Sequence, residues 1–270
     1  MTDKALILAR GLGTRMRKDD GSVTLSEAEA RAAATGVKAM IPIDRPFLDY
    51  VLSALADAGY RQICLVVAPD HEALRRYYEE ESPPQRLSIR FAVQESPRGT
   101  ADAVAAGENF ANGDDVLVVN SDNYYPIEAL RELRQRSGSA VALFEQDAML
   151  QESNIAPDRI KTFAVGLVDE AGNLVRILEK PDEKTLAELP RPLWLSMNCW
   201  RFSPAIFEAC RKIPPSPRGE YEITDAVQYC IDRLGVPFQA VRVSRPVLDM
   251  TSRADIPAIK ERLKGVQVRL

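Results

Sequence analysis

Histidine is almost missing from this sequence: the 270 residues contain one, His71. That excludes most zinc sites, leaves little for a His-based triad, and assigns any metal to carboxylates. Cysteine is sparse too. Cys64, Cys199, Cys210 and Cys230 are scattered with no CxxC pair, so reduced thiols in a cytoplasmic protein are expected. No apolar run is long enough to span a bilayer; "ICLVVA" at 63–68 is typical, and no membrane role is expected. The N-terminus lacks a charged stretch followed by an apolar run, so no signal peptide is expected. Basic excess is absent as well. A net charge of −4 argues against a protein that tracks a nucleic-acid backbone, though not against a local basic pocket for a small anion. A Gly-Lys-Ser/Thr tripeptide occurs nowhere, which excludes the P-loop. There is no repeat and no low-complexity tract.

What is present is an ordinary globular composition, 46% hydrophobic and 27% charged, in a chain able to bury a sizeable core. Short apolar runs at 4–9, 62–68, 87–93, 115–120 and 139–145 alternate with amphipathic stretches, which reads as α/β. In 46–58, Phe47, Val51, Leu55 and Ala58 share one helix face, with Asp44 to cap its start and Gly59 its end. The alternation predicts a Rossmann-like, mainly parallel sheet flanked by helices. After about residue 146 the strands lengthen, at 160–169, 173–180 and 193–202, with Gly172-Asn173 supplying a hairpin turn. A helix near 220–234, a strand at 238–244 and a helix from about 252 close the chain. The division expected is one domain with a nucleotide-binding half, 1–146, a smaller lobe, 147–235, and a closing strand and helix, 236–270. Segment 18–37 is polar and partly helical by propensity, and reads as a surface insertion or mobile flap.

The first strand breaks into "LARGLGTRM" at 8–16, with Gly11 and Gly13 one residue apart. Ligands of open α/β sheets bind beyond the carboxyl ends of strands, where this loop must sit. Glycines let backbone N–H groups turn toward an anion, and Arg15 adds a fork suited to phosphate oxygens. The dinucleotide fingerprint does not fit, because Met16 stands where it needs a third Gly or Ala. Gln94 offers a donor and an acceptor to a base edge, and Gly99 would let a base lie close to the backbone. Each feature also has a plain reading: Lys38 as a surface lysine, Thr100 as a helix cap, Asp122 as a turn former, Asp225 as an exposed helix residue, Glu179-Lys180 as a strand end.

Taken in order, "LARGLGTRM", "VKAMIPI" at 37–43, "QESPRGTADAV" at 94–104, "NSDNY" at 120–124, "EKP" at 179–181 and "GEYEITDAV" at 219–227 resemble the sugar-1-phosphate nucleotidyltransferases. These include glucose-1-phosphate thymidylyl- and uridylyltransferases and mannose-1-phosphate guanylyltransferases. The resemblance spans nearly the whole chain. It implies Mg²⁺-dependent attack of a sugar 1-phosphate on the α-phosphate of an NTP, which needs charge neutralisation and in-line positioning more than proton transfer. It further implies that Arg15 and Lys38 grip the triphosphate. Leu8, Ala9, Gly11, Gly13, Thr14, Gln94, Gly99 and Thr100 would complete the nucleotide site. Asp122 and Asp225 would hold the metal, Lys180 would neutralise the sugar phosphate, and Glu179 and Asn198 would touch the sugar.

The chain also departs from the family. Arg10 stands where Ala or Gly is usual, Trp200 and Arg201 alter the stretch after Asn198, and segment 18–37 is long; all three are expected near substrate regions, which points away from a common hexose phosphate. No appended hexapeptide-repeat β-helix is expected. Two alternatives stay open: transfer to another phosphorylated alcohol, of choline- or glycerol-phosphate type, and a non-catalytic nucleotide-sugar sensor. Joint retention of Arg15, Lys38, Asp122, Lys180 and Asp225 argues against the sensor. Base, sugar and homo-oligomeric state are not set by these residues.

Overall fold

A computed structural model describes residues 1–19, 21 and 23–270. Its strands are β1 (Lys4–Leu8), β2 (Gln62–Val67), β3 (Ser88–Val93), β4 (Val116–Asn120), β5 (Asn123–Tyr124), β6 (Ser139–Glu145), β7 (Val165–Val168), β8 (Leu174–Leu178), β9 (Trp194–Phe202), β10 (Phe238–Val243) and β11 (Leu248–Asp249). The main sheet runs β10-β6-β9-β4-β1-β2-β3, with β7 and β8 attached beside β9. β1 pairs parallel with β2 and β4, β2 with β3, and β10 with β6. The exceptions are β9, which lies antiparallel between β4 and β6, and the attached β7 and β8, which pair antiparallel with each other and, through β7, with β9. A mixed, mostly parallel α/β sheet is therefore present, and a strand from the expected lobe sits in its middle.

Burial follows strand position. The central strand β4, "VLVVN", is buried on both faces, as a strand covered by helices requires. At the edge, β3 alternates exposed and half-buried residues. Side chains of successive strand residues enter two cores. Ile7, Leu117 and Val119 face the helices Phe47–Ala58 and Ile127–Gln135, while Leu6, Val116 and Val118 face Thr100–Ala106, Ala205–Lys212 and Ile223–Leu234. All four cysteines are buried and unpaired. Among the described residues no helix is long and apolar enough to cross a membrane.

Local differences from the sequence-based expectations have simple causes. Asp44 does not cap the helix Phe47–Ala58; Pro46 holds that position, and Gly59 ends the helix at φ +100° as expected. The strand expected at 160–169 begins only at Val165, because Pro157 starts a short helix, Pro157–Ile160. Segment 18–37, of which Asp20 and Ser22 lie outside the described residues, contains a docked helix, Glu27–Thr35. A capping box joins Ser26 to Glu29, Ala33 is fully buried, and Lys260 of the closing helix reaches Glu29 at 2.7 Å. This helix is fastened down, unlike a loose polar loop.

Candidate active site

The parallel strands β1, β2, β3 and β4 end on one side, and a cleft opens beyond their carboxyl ends. Its glycine-loop side is a depression of about 400 Å³, its acidic side one of about 430 Å³. Both fall within the usual size of small-molecule sites. Leu8, Ala9, Gly11, Gly13, Thr14, Gln94, Gly99 and Thr100 line the first; Glu179, Lys180 and Asn198 line the second. Arg15, Lys38, Asn120 and Asp122 line both and so stand at the junction.

Glycines shape the first depression by letting backbones meet. Gly13 has φ +60°, and a Cβ there would lie 2.0 Å from the carbonyl oxygen of Gly36. Gly99, at φ +113°, would place a Cβ 2.4 Å from the Tyr221 oxygen. Residues 98–101 are laced to 221–223: the Tyr221 N–H donates to Arg98 O at 2.7 Å, and Ala101 N–H to Tyr221 O at 2.8 Å. Thr100 Oγ1 accepts from Ile223 N–H at 2.8 Å. Thr100 thus caps a helix, but the distant one that begins at Ile223. Two motifs some 120 residues apart are one structural unit.

Gln94 is buried beneath this loop. Its Nε2 donates to Gly99 O at 3.0 Å and to Asp102 Oδ2 at 2.9 Å. Both partners can only accept, so the amide orientation follows from the chemistry. Oε1 is left as an acceptor with no protein partner among the described residues, on a residue that lines the glycine-loop depression.

Charge organises the second depression. Lys38 Nζ pairs with Asp122 Oδ2 at 2.7 Å. Facing Asp122 is not Asp225 but Asp249. The short strands β5 and β11 pair antiparallel, setting Asp249 opposite Asn123, and Met250 N–H donates to Asp122 O at 2.8 Å. Burial, and then the charge of Asp122, push the Asp249 carboxyl above the ordinary aspartate range. Thr251 Oγ donates to Asp249 at 2.6 Å and Asn123 Nδ2 at 3.0 Å. Arg159 bridges Asp249 and Asp255, the latter at 3.0 Å.

Asp225 is the one expected site residue that lines neither depression. On the helix Ile223–Leu234 the buried residues are Ile223, Ala226, Val227 and Cys230, so Asp225 falls on the outer face and is exposed. Partial burial and then Glu222 raise its pKa, with no contribution from Asp122. Its neighbour Thr224 lines the cleft instead. Sequence reading missed Asp249, Arg159 and Thr251. The available signal was an aspartate inside "PVLDMTS", an acid set in an apolar run at a strand end.

The departures also sort themselves. Arg201 is buried away from the cleft, paired with Asp115 at 2.6 Å and donating to Gly138 O at 2.9 Å. Trp200 is core, stacked 5.6 Å from Phe202, although its Nε1 donates to Asn198 Oδ1 at 3.3 Å. Asn198 adopts φ +54° within β9, where pairing slips: Leu143 faces Ser196 but Val141 faces Trp200. That bulge turns Asn198 into the cleft. Lys180, at φ +42°, turns the chain just after β8. Arg10 alone among these departures lines the glycine-loop depression.

Comparison with known proteins gives the same direction. A family model described as nucleotidyl transferase matches residues 4–242. The chain is 28% identical to a UTP–glucose-1-phosphate uridylyltransferase of Haloferax volcanii, over 97% of this chain and 96% of that protein. It is 30% identical to a glucose-1-phosphate thymidylyltransferase of Streptomyces griseus over 85% of its own length, spanning 57% of that relative. Among solved structures, a UDP-glucose pyrophosphorylase complexed with UDP-glucose superposes with a TM-score of 0.74 at 20% identity, covering 99% of this chain and all of that one. At that identity the likeness speaks for the fold.

Proposed function

The chain belongs to the nucleotidyl transferase family, and from that premise we propose that it moves a uridylyl or thymidylyl group from UTP or dTTP to glucose 1-phosphate or a closely related hexose 1-phosphate. A phosphate oxygen of the sugar phosphate bonds to the α-phosphorus, the bond to the β-phosphate oxygen breaks, and pyrophosphate leaves. The observation that carries this reading is the junction: Arg15, Lys38, Asn120 and Asp122 border both depressions, where the two substrates would meet. Relatives named for uridylyl and thymidylyl transfer support the choice of nucleotide. Gln94 agrees with it, since its free Oε1 suits the imino N–H of uracil, thymine or guanine and not the bare ring nitrogen of cytosine or adenine.

Arg15 lies at the junction, is exposed and makes no ion pair among the described residues, so its fork is free for the triphosphate. Lys38 is held in place by Asp122. Lys180 lines the acidic depression, suited to the phosphate of the acceptor, and Glu179 and Asn198 line it too, for sugar hydroxyls. Asp122 and Asp249 replace Asp122 and Asp225 as the carboxylates that would hold Mg²⁺. The fit rests on both acids lining the acidic depression, with Asp249 set opposite Asn123 and so next to Asp122, and Mg²⁺ takes one or two carboxylates plus substrate phosphates. Bound there, the ion supplies positive charge that offsets repulsion between two anionic substrates.

The test is pyrophosphate release from UTP, dTTP, CTP, ATP and GTP, each with glucose 1-phosphate, phosphocholine and glycerol 3-phosphate. Release with UTP or dTTP and glucose 1-phosphate is expected. Release only with the non-sugar acceptors, or none in any combination, overturns the reading.

A further inference from the structure

Arg10 is hydrogen-bonded to Gln94, and both line the glycine-loop depression. Its Nε donates to the main-chain oxygen of Gln94 at 3.2 Å, so the side chain crosses from the end of β1 to the end of β3. It is half-buried, and among the described residues it makes no other hydrogen bond and no ion pair. The terminal Nη atoms are therefore donors without a protein partner, in a cleft wall, next to Gln94. An arginine can only donate, and with both Nε2 hydrogens of Gln94 engaged, Oε1 can only accept. Acceptor and donor side by side form a pattern, and an unpaired guanidinium beside a ligand site needs a purpose.

Building on the nucleotide reading above, we propose that Arg10 selects the base. Gln94 Oε1 accepts the imino N–H of uracil or thymine, and the Arg10 Nη atoms donate to the adjoining ring carbonyl. Cytosine presents the reverse pair, a ring-nitrogen acceptor beside an amino donor. Its lone pair would meet Oε1 and its amino group would meet the guanidinium. Two mismatched polar contacts in one small site discriminate strongly, because each leaves a desolvated group unpaired. The bond from Nε to Gln94 O holds the fork in place before the nucleotide arrives.

The test is equilibrium binding of UTP, CTP and inorganic tripolyphosphate to the full chain and to its Arg10→Ala and Arg10→Lys variants. Tripolyphosphate carries the phosphates without the base. The parent should bind UTP at least about tenfold tighter than CTP, on the scale of one well-placed bidentate base contact. Arg10→Ala should weaken UTP about tenfold or more while shifting CTP and tripolyphosphate by less than about twofold, on the same scale. Arg10→Lys keeps the charge but loses the fork, and should behave like Arg10→Ala. Retained tripolyphosphate binding shows that the variants are folded. Equal losses for UTP and tripolyphosphate would make Arg10 a phosphate ligand and overturn the proposal. So would an unchanged ratio of UTP to CTP affinity in Arg10→Ala, or a parent indifferent to the two. A parent that prefers UTP yet releases no pyrophosphate with any hexose 1-phosphate fails the catalytic reading alone.

Discussion

On the glycine-loop side of the cleft, main chain meets main chain: Gly13 against Gly36, Gly99 against Tyr221, Thr100 under the N–H of Ile223. On the acidic side, charges meet: Lys38 with Asp122, and Arg159 with Asp249 and Asp255. Backbone contacts of the first kind leave few alternatives and set a shape before any ligand binds. Paired charges of the second kind are balanced only among themselves. An arriving metal ion and phosphates, on the reading proposed above, would compete for the same lysine and carboxylates. One side is held by form, the other by charge.

The largest effects should come from the side held by charge. Asp249→Asn should lower Mg²⁺-dependent turnover by roughly 10³-fold, the upper scale for losing one preorganised electrostatic group. Its melting temperature in chelator should equal or exceed the parent's, since a repulsive carboxylate is gone. Steady-state pyrophosphate assays and thermal melts check both, and full turnover at limiting Mg²⁺ would remove Asp249 from the site. Arg15→Lys keeps a charge at the junction but loses the fork, and should slow turnover roughly 10²-fold. Near-normal rates there would sink the role given to Arg15.

Gly13→Ala tests the side built on form. A Cβ 2.0 Å from Gly36 O, at φ +60°, has nowhere to go. Denaturant titration should show a loss of at least about 2 kcal/mol, of the order expected for a strained left-handed residue that also clashes. An unchanged midpoint would mean that the loop is looser than its backbone contacts suggest.

Asp49 serves as a reference acid outside the cleft. It is fully buried, accepting from Arg45 at 2.9 Å, Tyr78 at 2.8 Å and Tyr77 at 3.1 Å. Burial raises its pKa in the folded state despite these partners. A raised carboxyl favours the fold below the unfolded aspartate pKa and loses that contribution as pH climbs through the folded value. Asp49→Asn should therefore gain on the parent in thermal melts between about pH 4, near the unfolded aspartate value, and neutrality, with turnover unaffected. A gap that narrows over this range would contradict the assignment. The smallest effect belongs to Asp225→Asn, which should keep turnover within about twofold, as exposed substitutions away from a site usually do.

Asp225 and Asp249 show what could and could not be read in advance. The strands of the first half were legible from their apolar runs, and the glycine loop, Lys38 and Asp122 from their order along the chain. Asp225 drew attention through the motif around it. The spacing of Ile223, Ala226, Val227 and Cys230 turns it away from the core, and helical phase alone does not say whether that outward face meets the cleft. Asp249 was hidden for a different reason. Two-residue strands carry no periodicity, and nothing local announces that 248–249 will pair with 123–124. The antiparallel insertion of β9 was likewise unreadable, since a run buried on both faces looks the same in either direction.

The lacing of residues 98–101 to 221–223 bears on how the protein comes into being. Synthesis runs from the amino end, and the first four strands of the cleft leave the ribosome long before Tyr221 does. Until then Gly99 has no wall to rest against, and Thr100 has no helix to cap. A nascent chain can collapse around β1, β2 and β4 without yet offering a finished seat for a nucleotide. Affinity for nucleotide should therefore appear late and abruptly as the chain lengthens, so that cellular nucleotide cannot act as a scaffold for half-made protein.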